Sequence, residues 1–245
     1  MTQDKITRDD VLALFSRFDL NDAESAYLEG QAQRIAYLRN LVQTYCTNIV
    51  GPADILDVGP HFLTRCIVDT IHPTPRISTI GFDYQNLLPM ERVYRRAVLD
   101  VNDCGSLPLP FEGNSIDIIL LCEIIEHLFI PPDVVYNFLK PLLKKSGFLI
   151  VGTPNAVSIS KRLKMVMGEN PYQELSPEYK SGMVHIREYT MKELRKYGEW
   201  AELNVHYEEY CDYWDQYHFI ESQQITALER EDQLFRGGLT IVYQS

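Results

Sequence analysis

Positive charge is scarce in this sequence of 245 residues, and the deficit bears on its possible ligands. Lys and Arg total 23 against 34 Asp and Glu, which gives a formal net charge of −11 at pH 7. Proteins that bind nucleic acid gain much of their affinity from basic residues that release counterions from phosphates. We therefore expect no nucleic-acid substrate.

Long apolar runs, a leader pattern and paired cysteines are also lacking. No apolar stretch is long enough to span a bilayer, and the first residues lack the basic and apolar regions of a signal peptide. The cysteines are few, odd in number and scattered, with no Cys-x-x-Cys pair (46, 66, 104, 122 and 211). Such usage argues against a disulfide framework or a thiolate zinc site, and we expect a cytoplasmic protein without a membrane span.

Apolar runs that alternate with helix-like stretches predict an α/β fold with right-handed crossovers. Between residues 55 and 151, five strands are predicted, at 55–58, 76–83, 96–99, 115–121 and 148–151. Two more, within 203–214 and 238–243, have no helix-rich unit between them and predict an antiparallel hairpin at one edge. The predicted fold is a Rossmann-like, seven-stranded, mostly parallel sheet with this edge hairpin and helices on both faces.

The length fits one domain, 1–245, with three parts. Residues 1–50 form an N-terminal helical cap, 51–155 a ligand-binding core, and 156–245 the substrate-side loop, helices and closing strands. The cap helices either pack against the sheet or cover a pocket, with Tyr27, Gln31 and Arg34 facing the ligand. A later helix begins at Pro131-Pro132-Asp133, is kinked or ended by Pro141, and is closed by Ser146-Gly147.

Three acids, Asp57, Asp83 and Asp100, stand at the ends of three successive predicted strands, and Gly59 permits a tight turn after the first. The carboxyl ends of parallel strands lie at one edge of a sheet, where ligands bind. The second acid suits the hydroxyls of a ribose, the third an exocyclic amine, and the first an ammonium. One glycine and several acids disfavour a phosphate-bearing dinucleotide and favour a nucleoside with a cationic tail, as in S-adenosylmethionine.

Five segments, in this order, resemble the class I S-adenosylmethionine-dependent methyltransferases, and in particular small-molecule O-methyltransferases of the ubiquinone-biosynthesis type. The resemblance covers roughly 50–155 and rests on Ile55-Leu56-Asp57-Val58-Gly59, Asp83, Leu99-Asp100-Val101-Asn102 with 109–117, Cys122-Glu123-Ile124-Ile125-Glu126-His127-Leu128, and 142–155. It implies an enzyme that transfers a methyl group from S-adenosyl-L-methionine to a small-molecule acceptor, with oxygen favoured as the acceptor atom. The implied cofactor-binding residues are Asp57, Gly59, Pro60, His61, Asp83, Tyr84, Asp100, Val101, Cys122 and Glu123.

The chain departs from this family after Gly59, where Pro60, His61, Phe62 and Leu63 replace further glycines. Pro60 removes a backbone N–H, and Pro60 and His61 narrow the space for the methionine part of the cofactor. His61 could instead face the methionine carboxylate. This departure motivates an alternative function, a non-catalytic protein that binds S-adenosylmethionine or a partner on the same fold. A homodimer is left open.

His127 and His185 are the candidate general bases for an alcohol or phenol acceptor. Each has a structural alternative, since His127 could hold a helix start or loop and His185 could brace its own segment. The quinone-type resemblance further implies that Glu123, Glu126 and His127 hold a divalent metal, but acids also favour a helix start, and no metal ligand is assigned. An aromatic-rich segment either packs a strand or lines the acceptor site (Tyr207, Tyr210, Tyr213, Trp214 and Tyr217).

Overall fold

A seven-stranded sheet forms the centre of the computed structural model, which describes residues 5–82, 92–175, 184–213 and 232–245. The strands lie in the order β3-β2-β1-β4-β5-β7-β6, and only β7 runs antiparallel to its neighbours. This arrangement confirms the predicted fold class. The strands are β1 (Asp54–Val58), β2 (Arg76–Gly81), β3 (Arg95–Val98), β4 (Ile116–Cys122), β5 (Leu143–Pro154), β6 (Asn204–Cys211) and β7 (Gly238–Gln244).

Three of the α-helices in the described ranges begin at a residue whose side chain caps the free N–H groups of the first turn. Thr7, Asn21 and Thr190 each accept a hydrogen bond from the third residue of the helix, whose side chain bonds back to the cap. These reciprocal bonds fix where the two N-terminal helices and the last helix start. In the described ranges the helices are α1 (Arg8–Phe15), α2 (Asp22–Cys46), α3 (Phe62–Thr70), α4 (Pro132–Leu139), α5 (Ile159–Val166) and α6 (Met191–Trp200).

The sheet is buried on both faces, because side chains on successive residues of a strand point to opposite sides. On one face, Ile55 and Ile118 pack with residues of α2 and α3 such as Val42 and Ile67. On the other face, Leu56, Ile119 and Leu121 belong to a cluster with α4 and α6. The near-continuous apolar sequence of β4 suits this double burial.

The prediction that Ser146-Gly147 closes the fourth helix is wrong. The α-helix ends at Leu139, and a single 3₁₀ turn, Lys140–Leu142, follows it. Pro141 cannot donate a helical hydrogen bond, so the chain leaves the helix there. β5 therefore begins at Leu143, and Ser146, with φ of 65°, lies within the strand where its pairing with β4 is irregular.

Within the described ranges, no helix has both the length and the apolar character needed to cross a membrane. All five cysteines are unpaired. Burial raises the pKa of the Cys46 and Cys66 thiols to about 12, so both are protonated and packed as small apolar side chains.

Candidate active site

A cavity of about 340 Å³ lies at the carboxyl ends of β1, β2 and β4. Its walls come from α2, the β1–α3 turn, the end of β2, the residues after β3 and the turn after β4. The strand order places β1 between β2 and β4, where the connections diverge to opposite sides of the sheet. Open α/β sheets bind their ligands at such a switch point.

Eight of the ten predicted cofactor-binding residues line this cavity. The other two, Asp83 and Tyr84, lie outside the described residues. The fold therefore brings predicted residues from the ends of β1, β3 and β4 to one cavity. The eight are Asp57, Gly59, Pro60, His61, Asp100, Val101, Cys122 and Glu123.

The turn between β1 and α3 brings backbone close to the cavity. Gly59 has φ of 78°, and a Cβ added there would collide with the Ile124 side chain. Its N–H donates to the Ile80 carbonyl at 2.8 Å, and the His61 N–H donates to the Thr64 hydroxyl at 2.8 Å. Pro60 has no N–H. Of residues 59–61, Gly59 and His61 thus have their amides already bonded to protein groups, and Pro60 has none.

Asp57 is 3% exposed and lines the cavity. The Thr64 hydroxyl donates a hydrogen bond to one of its carboxylate oxygens. Burial is the larger influence, and it raises the pKa of Asp57 to about 7 against the lowering effect of that bond. A cationic ligand group beside Asp57 would favour its ionised form.

His61 is not a cation in this site at neutral pH. Burial, and then the charge of Arg34, lower the pKa of His61 to about 4. Its ring packs edge-on against Tyr27, with ring centroids 5.0 Å apart. The sequence interpretation that His61 faces the cofactor carboxylate therefore has no support from charge.

One side of α2 packs in the apolar core and another lines the cavity. The two interpretations of the cap helices, packing against the sheet and covering a pocket, therefore each hold in part. Tyr27 and Arg34 belong to the cavity wall, whereas Ala36 and Leu38 of the same helix are buried in the apolar core. Arg34 is 6% exposed and donates from one terminal nitrogen to the Tyr27 hydroxyl at 3.2 Å. The other terminal nitrogen lies 3.4 Å from Glu123 Oε1.

His127 and His185 meet although 57 residues separate them. A backbone bond from Ile186 N–H to the Glu126 carbonyl, 2.7 Å long, ties their segments together, and the two rings lie 4.8 Å apart. His127 Nδ1 lies 3.1 Å from the Val184 carbonyl, which can only accept, so Nδ1 carries the proton and Nε2 is the basic nitrogen. His127 therefore does hold the loop at Val184, as the structural alternative predicts, and this bond does not use Nε2.

The two histidines stand between two cavities. His127 lines the first cavity, and His185 lines a second one of about 980 Å³. His185 Nδ1 lies 3.1 Å from Glu188 Oε1, and burial lowers the pKa of His185 to about 4. The pair of rings therefore lies where the linings of the two cavities approach each other.

Glu126 lies next to the same histidines. It is 0% exposed, its Oε2 accepts from the Thr153 hydroxyl at 2.9 Å, and its Oε1 has no hydrogen bond. One ligand atom from each of Glu126, His127 and His185 lies within 4.8 Å of the other two, so this group could hold a metal ion. The motif-based set is corrected, because Glu123 does not belong to this group and pairs instead with Arg34, from a left-handed backbone with φ of 57°.

Two residues near the histidines were missed by sequence reasoning. Lys161 of α5 contacts the Glu188 carboxylate and donates to the Asn155 carbonyl at 3.0 Å. Burial lowers the pKa of Lys161 to about 8. Glu188 follows His185 by three residues and was a visible acidic neighbour, but nothing in the sequence places Lys161 beside it.

Within the described residues, the aromatic-rich segment packs at Tyr213 and lines neither of the two cavities. Tyr213 is buried, its hydroxyl bonds to that of Thr240, and its ring packs on Tyr37 with centroids 5.2 Å apart. Tyr207, Tyr210 and Tyr213 line neither of the two cavities described above. Trp214 and Tyr217 lie outside the described residues.

Comparisons with known proteins find this architecture among solved structures only. No model of a protein family matches the sequence, and no curated protein matches it. A methyltransferase of Archaeoglobus fulgidus described as dependent on S-adenosylmethionine is 12% identical, with a TM-score of 0.56 over 91% of this chain and 100% of that one. The 1,6-didemethyltoxoflavin-N1-methyltransferase of Burkholderia thailandensis, solved with S-adenosylhomocysteine, is 13% identical, with a TM-score of 0.57 over 97% of this chain and 86% of its own.

A third similar structure has a different activity in its name. The [4+2]-cyclase SpnF is 15% identical, with a TM-score of 0.54 over 88% of this chain and 82% of that one. At such identities the comparisons define a fold and not an activity. The chain has the Rossmann-like fold that the S-adenosylmethionine-dependent methyltransferases share.

Proposed function

We propose that the chain is an enzyme that binds S-adenosyl-L-methionine in the 340 Å³ cavity and transfers its methyl group to a small-molecule acceptor, with oxygen favoured as the acceptor atom. One observation carries the proposal. Asp57, Asp100 and Glu123, from the ends of three strands, line a single cavity at the switch point. A nucleoside with a cationic tail and no phosphate complements such a wall.

Asp83 is the proposed partner of the ribose hydroxyls. Replacement of Asp83 by Ala is expected to abolish binding of S-adenosylhomocysteine, because two hydrogen bonds to a charged acceptor are lost. Isothermal titration calorimetry measures this, with Asp103→Ala as the control, since Asp103 is exposed and lies outside the cavity wall. Unchanged binding by the Asp83 variant would refute this assignment.

The reaction proposed is an in-line displacement of the methyl group from the sulfonium by the acceptor. The cofactor supplies a methyl group that is already activated, so much of the rate can come from alignment. His127 Nε2 is the proposed base that takes the proton of the acceptor hydroxyl, and His185 is the second candidate. The position of the two rings between the cavities supports both.

A divalent metal ion is a second proposed role for the same cluster. It is favoured by Glu126 Oε1, which is buried without a hydrogen bond beside His127 and His185. Both histidines also have Nδ1 next to an acceptor oxygen, the arrangement that orients Nε2 toward a metal. Bound there, the ion would lower the pKa of an acceptor hydroxyl.

Titration with Mn²⁺ and Zn²⁺ separates the two roles. If the cluster holds a metal, the wild-type protein binds about one equivalent, Glu126→Gln weakens binding at least about tenfold, and Glu123→Gln leaves it unchanged. Calorimetry and metal analysis of the purified protein give these readouts without any activity assay. Absence of binding at millimolar metal would leave the base role as the one proposed for the histidines.

The rival function is a non-catalytic binding protein on this fold. It is favoured by the β1–α3 turn, where Pro60 lacks an N–H and the Gly59 and His61 amides are used internally. A protein that binds S-adenosylmethionine but shows no turnover with phenol, alcohol or amine acceptors would support this rival.

A further inference from the structure

Lys161 is a mostly buried cation at a place where its own helix disfavours positive charge. It lies in the first turn of α5, whose unpaired N–H groups make that helix end partly positive. Its side chain is 16% exposed, and burial lowers the pKa of Lys161 to about 8. Neither the helix nor the burial favours an ammonium here, so the contacts of Lys161 with other segments must account for it.

Lys161 joins the end of β5 to the segment that carries His185. Its Nζ donates to the Asn155 carbonyl at 3.0 Å and contacts Glu188 Oε2. Asn155 is fully buried, and its side-chain amide donates to the carbonyls of Leu234 and Arg236. Lys161 is therefore anchored on a fixed residue, and it holds the Glu188 carboxylate in place.

The Glu188 carboxylate determines which nitrogen of His185 carries a proton. Glu188 Oε1 lies 3.1 Å from His185 Nδ1, while Oε2 contacts Lys161. A carboxylate held in an ion pair can only accept, so Nδ1 is protonated and Nε2 is the basic nitrogen. The backbone N–H of His185 donates to Gln173 Oε1 at 3.1 Å, which fixes the residue itself. The His185 ring thus has a defined direction and tautomer beside the ring of His127.

We propose that Lys161 and Glu188 are positioning residues that act through His185. Glu188 selects the tautomer with a basic Nε2, and Lys161 holds Glu188 in position as a carboxylate. The inference rests on the proposed function, because His185 needs a basic Nε2 both as a base and as a metal ligand. A proton on Nε2 would block both roles.

The tautomer of His185 gives a test that needs no cofactor, metal or acceptor. Long-range ¹H–¹⁵N NMR of metal-free protein with ¹⁵N-labelled histidine, at pH 7.5, shows which ring nitrogen is protonated, and His185→Asn assigns the signals. Wild type is expected to hold His185 in the Nδ1–H form. Glu188→Gln should populate the Nε2–H form, since its amide can donate to Nδ1, whereas Glu188→Asp should retain Nδ1–H.

Variants of Lys161 test the second half of the proposal. Lys161→Met should let Glu188 move and give a mixture of His185 tautomers, whereas Lys161→Arg should keep the wild-type form. Lys196→Met is the matched control, because Lys196 is exposed on α6 and lines neither cavity. His127 should stay in the Nδ1–H form in every variant, since the Val184 carbonyl holds it, and so reports that the protein is folded.

Turnover separates this inference from the proposed function. Glu188→Gln and Lys161→Met should lower kcat with phenol or alcohol acceptors about 10- to 100-fold. Their affinity for S-adenosylhomocysteine should stay within about threefold, because both residues lie outside the wall of the first cavity.

Two NMR results would overturn the inference and leave the proposed function intact. They are a wild-type His185 in the Nε2–H form, and an unchanged Nδ1–H form in both Glu188→Gln and Lys161→Met. The second result would make the ion pair a merely structural contact. A wild-type protein that binds no S-adenosylhomocysteine would instead overturn the proposed function, whatever the tautomer of His185.

Discussion

Asp57→Asn is expected to weaken binding of S-adenosylhomocysteine about 10- to 100-fold at pH 8. The affinity of the variant should no longer depend on pH. The physical reason is the burial of Asp57, which raises its pKa to about 7. An ammonium placed beside it stabilises the ionised carboxylate, so binding below pH 7 must expel a proton. For wild type, affinity should therefore fall roughly 20-fold from pH 7.5 to pH 5.5.

The same raised pKa makes the stability of the ligand-free protein fall as pH rises, whereas its affinity for the ligand increases. The two opposite trends provide an internal check. The folded-state pKa of this acid is raised, so between about pH 4 and pH 7 the folded protein holds a proton that the unfolded chain has lost. The contribution of Asp57 to the free energy of unfolding of the ligand-free protein is therefore present at low pH and lost as pH rises through 7. Asp57→Asn should flatten this part of the profile.

Calorimetric titrations across this pH range, with chemical denaturation of the ligand-free protein, measure both effects. Asp103→Asn is the matched control, because Asp103 is exposed in the 3₁₀ helix after β3 and lies outside the cavity wall. It should reproduce the wild-type profile. An Asp57 variant with wild-type affinity and an unchanged pH profile would exclude an ammonium contact at this carboxylate.

His127→Asn is expected to lower kcat about 10²- to 10⁴-fold while leaving the affinity for S-adenosylhomocysteine within about threefold. The Asn amide nitrogen takes the place of His127 Nδ1 and can still donate to the Val184 carbonyl. The segment 184–190 thus stays attached, and only the basic Nε2 is removed. The loss should appear in turnover and not in folding.

Steady-state assays with phenol, alcohol and amine acceptors, alongside thermal unfolding, measure this result. His206→Asn is the control, because His206 is exposed on β6 and lines neither cavity. His127→Ala should add a loss of stability to the loss of rate, since the Val184 carbonyl then loses its donor. A kcat within threefold of wild type for His127→Asn would remove His127 from the chemistry.

The fold was predictable because its signals are local and repeated. Apolar runs at 55–58 and 115–121 are buried on both faces of the sheet, and no other element type suits them as well. The start of β5 was misplaced because Lys144, Lys145, Ser146 and Gly147 resemble a turn. In the structure they lie in a strand irregularity, and Lys144 bonds to Asp54 and Asp117.

The strand-end residues of the candidate site have the clearest signal in the sequence. Asp57, Asp100 and Glu123 converge because β1, β3 and β4 are parallel, which follows from the strand pattern. Contacts between distant segments carry no such signal. Neither the pairing of Arg34 with Glu123 nor the contact between His127 and His185 follows from sequence spacing. The quinone-type resemblance therefore groups Glu123, Glu126 and His127, which are neighbours in one motif, whereas the structure groups Glu126 with the two histidines.

Native mass spectrometry of the purified protein is the most direct test of the central proposal, that the cavity at the carboxyl ends of β1, β2 and β4 binds S-adenosylmethionine. One molecule of S-adenosylmethionine or S-adenosylhomocysteine per chain is expected, either retained from expression or added in slight excess. The Asp57→Asn and Asp83→Ala variants should lose it, and the Asp103→Asn control should keep it. A wild-type chain that stays ligand-free in millimolar S-adenosylmethionine, with no thermal shift, would contradict the proposal.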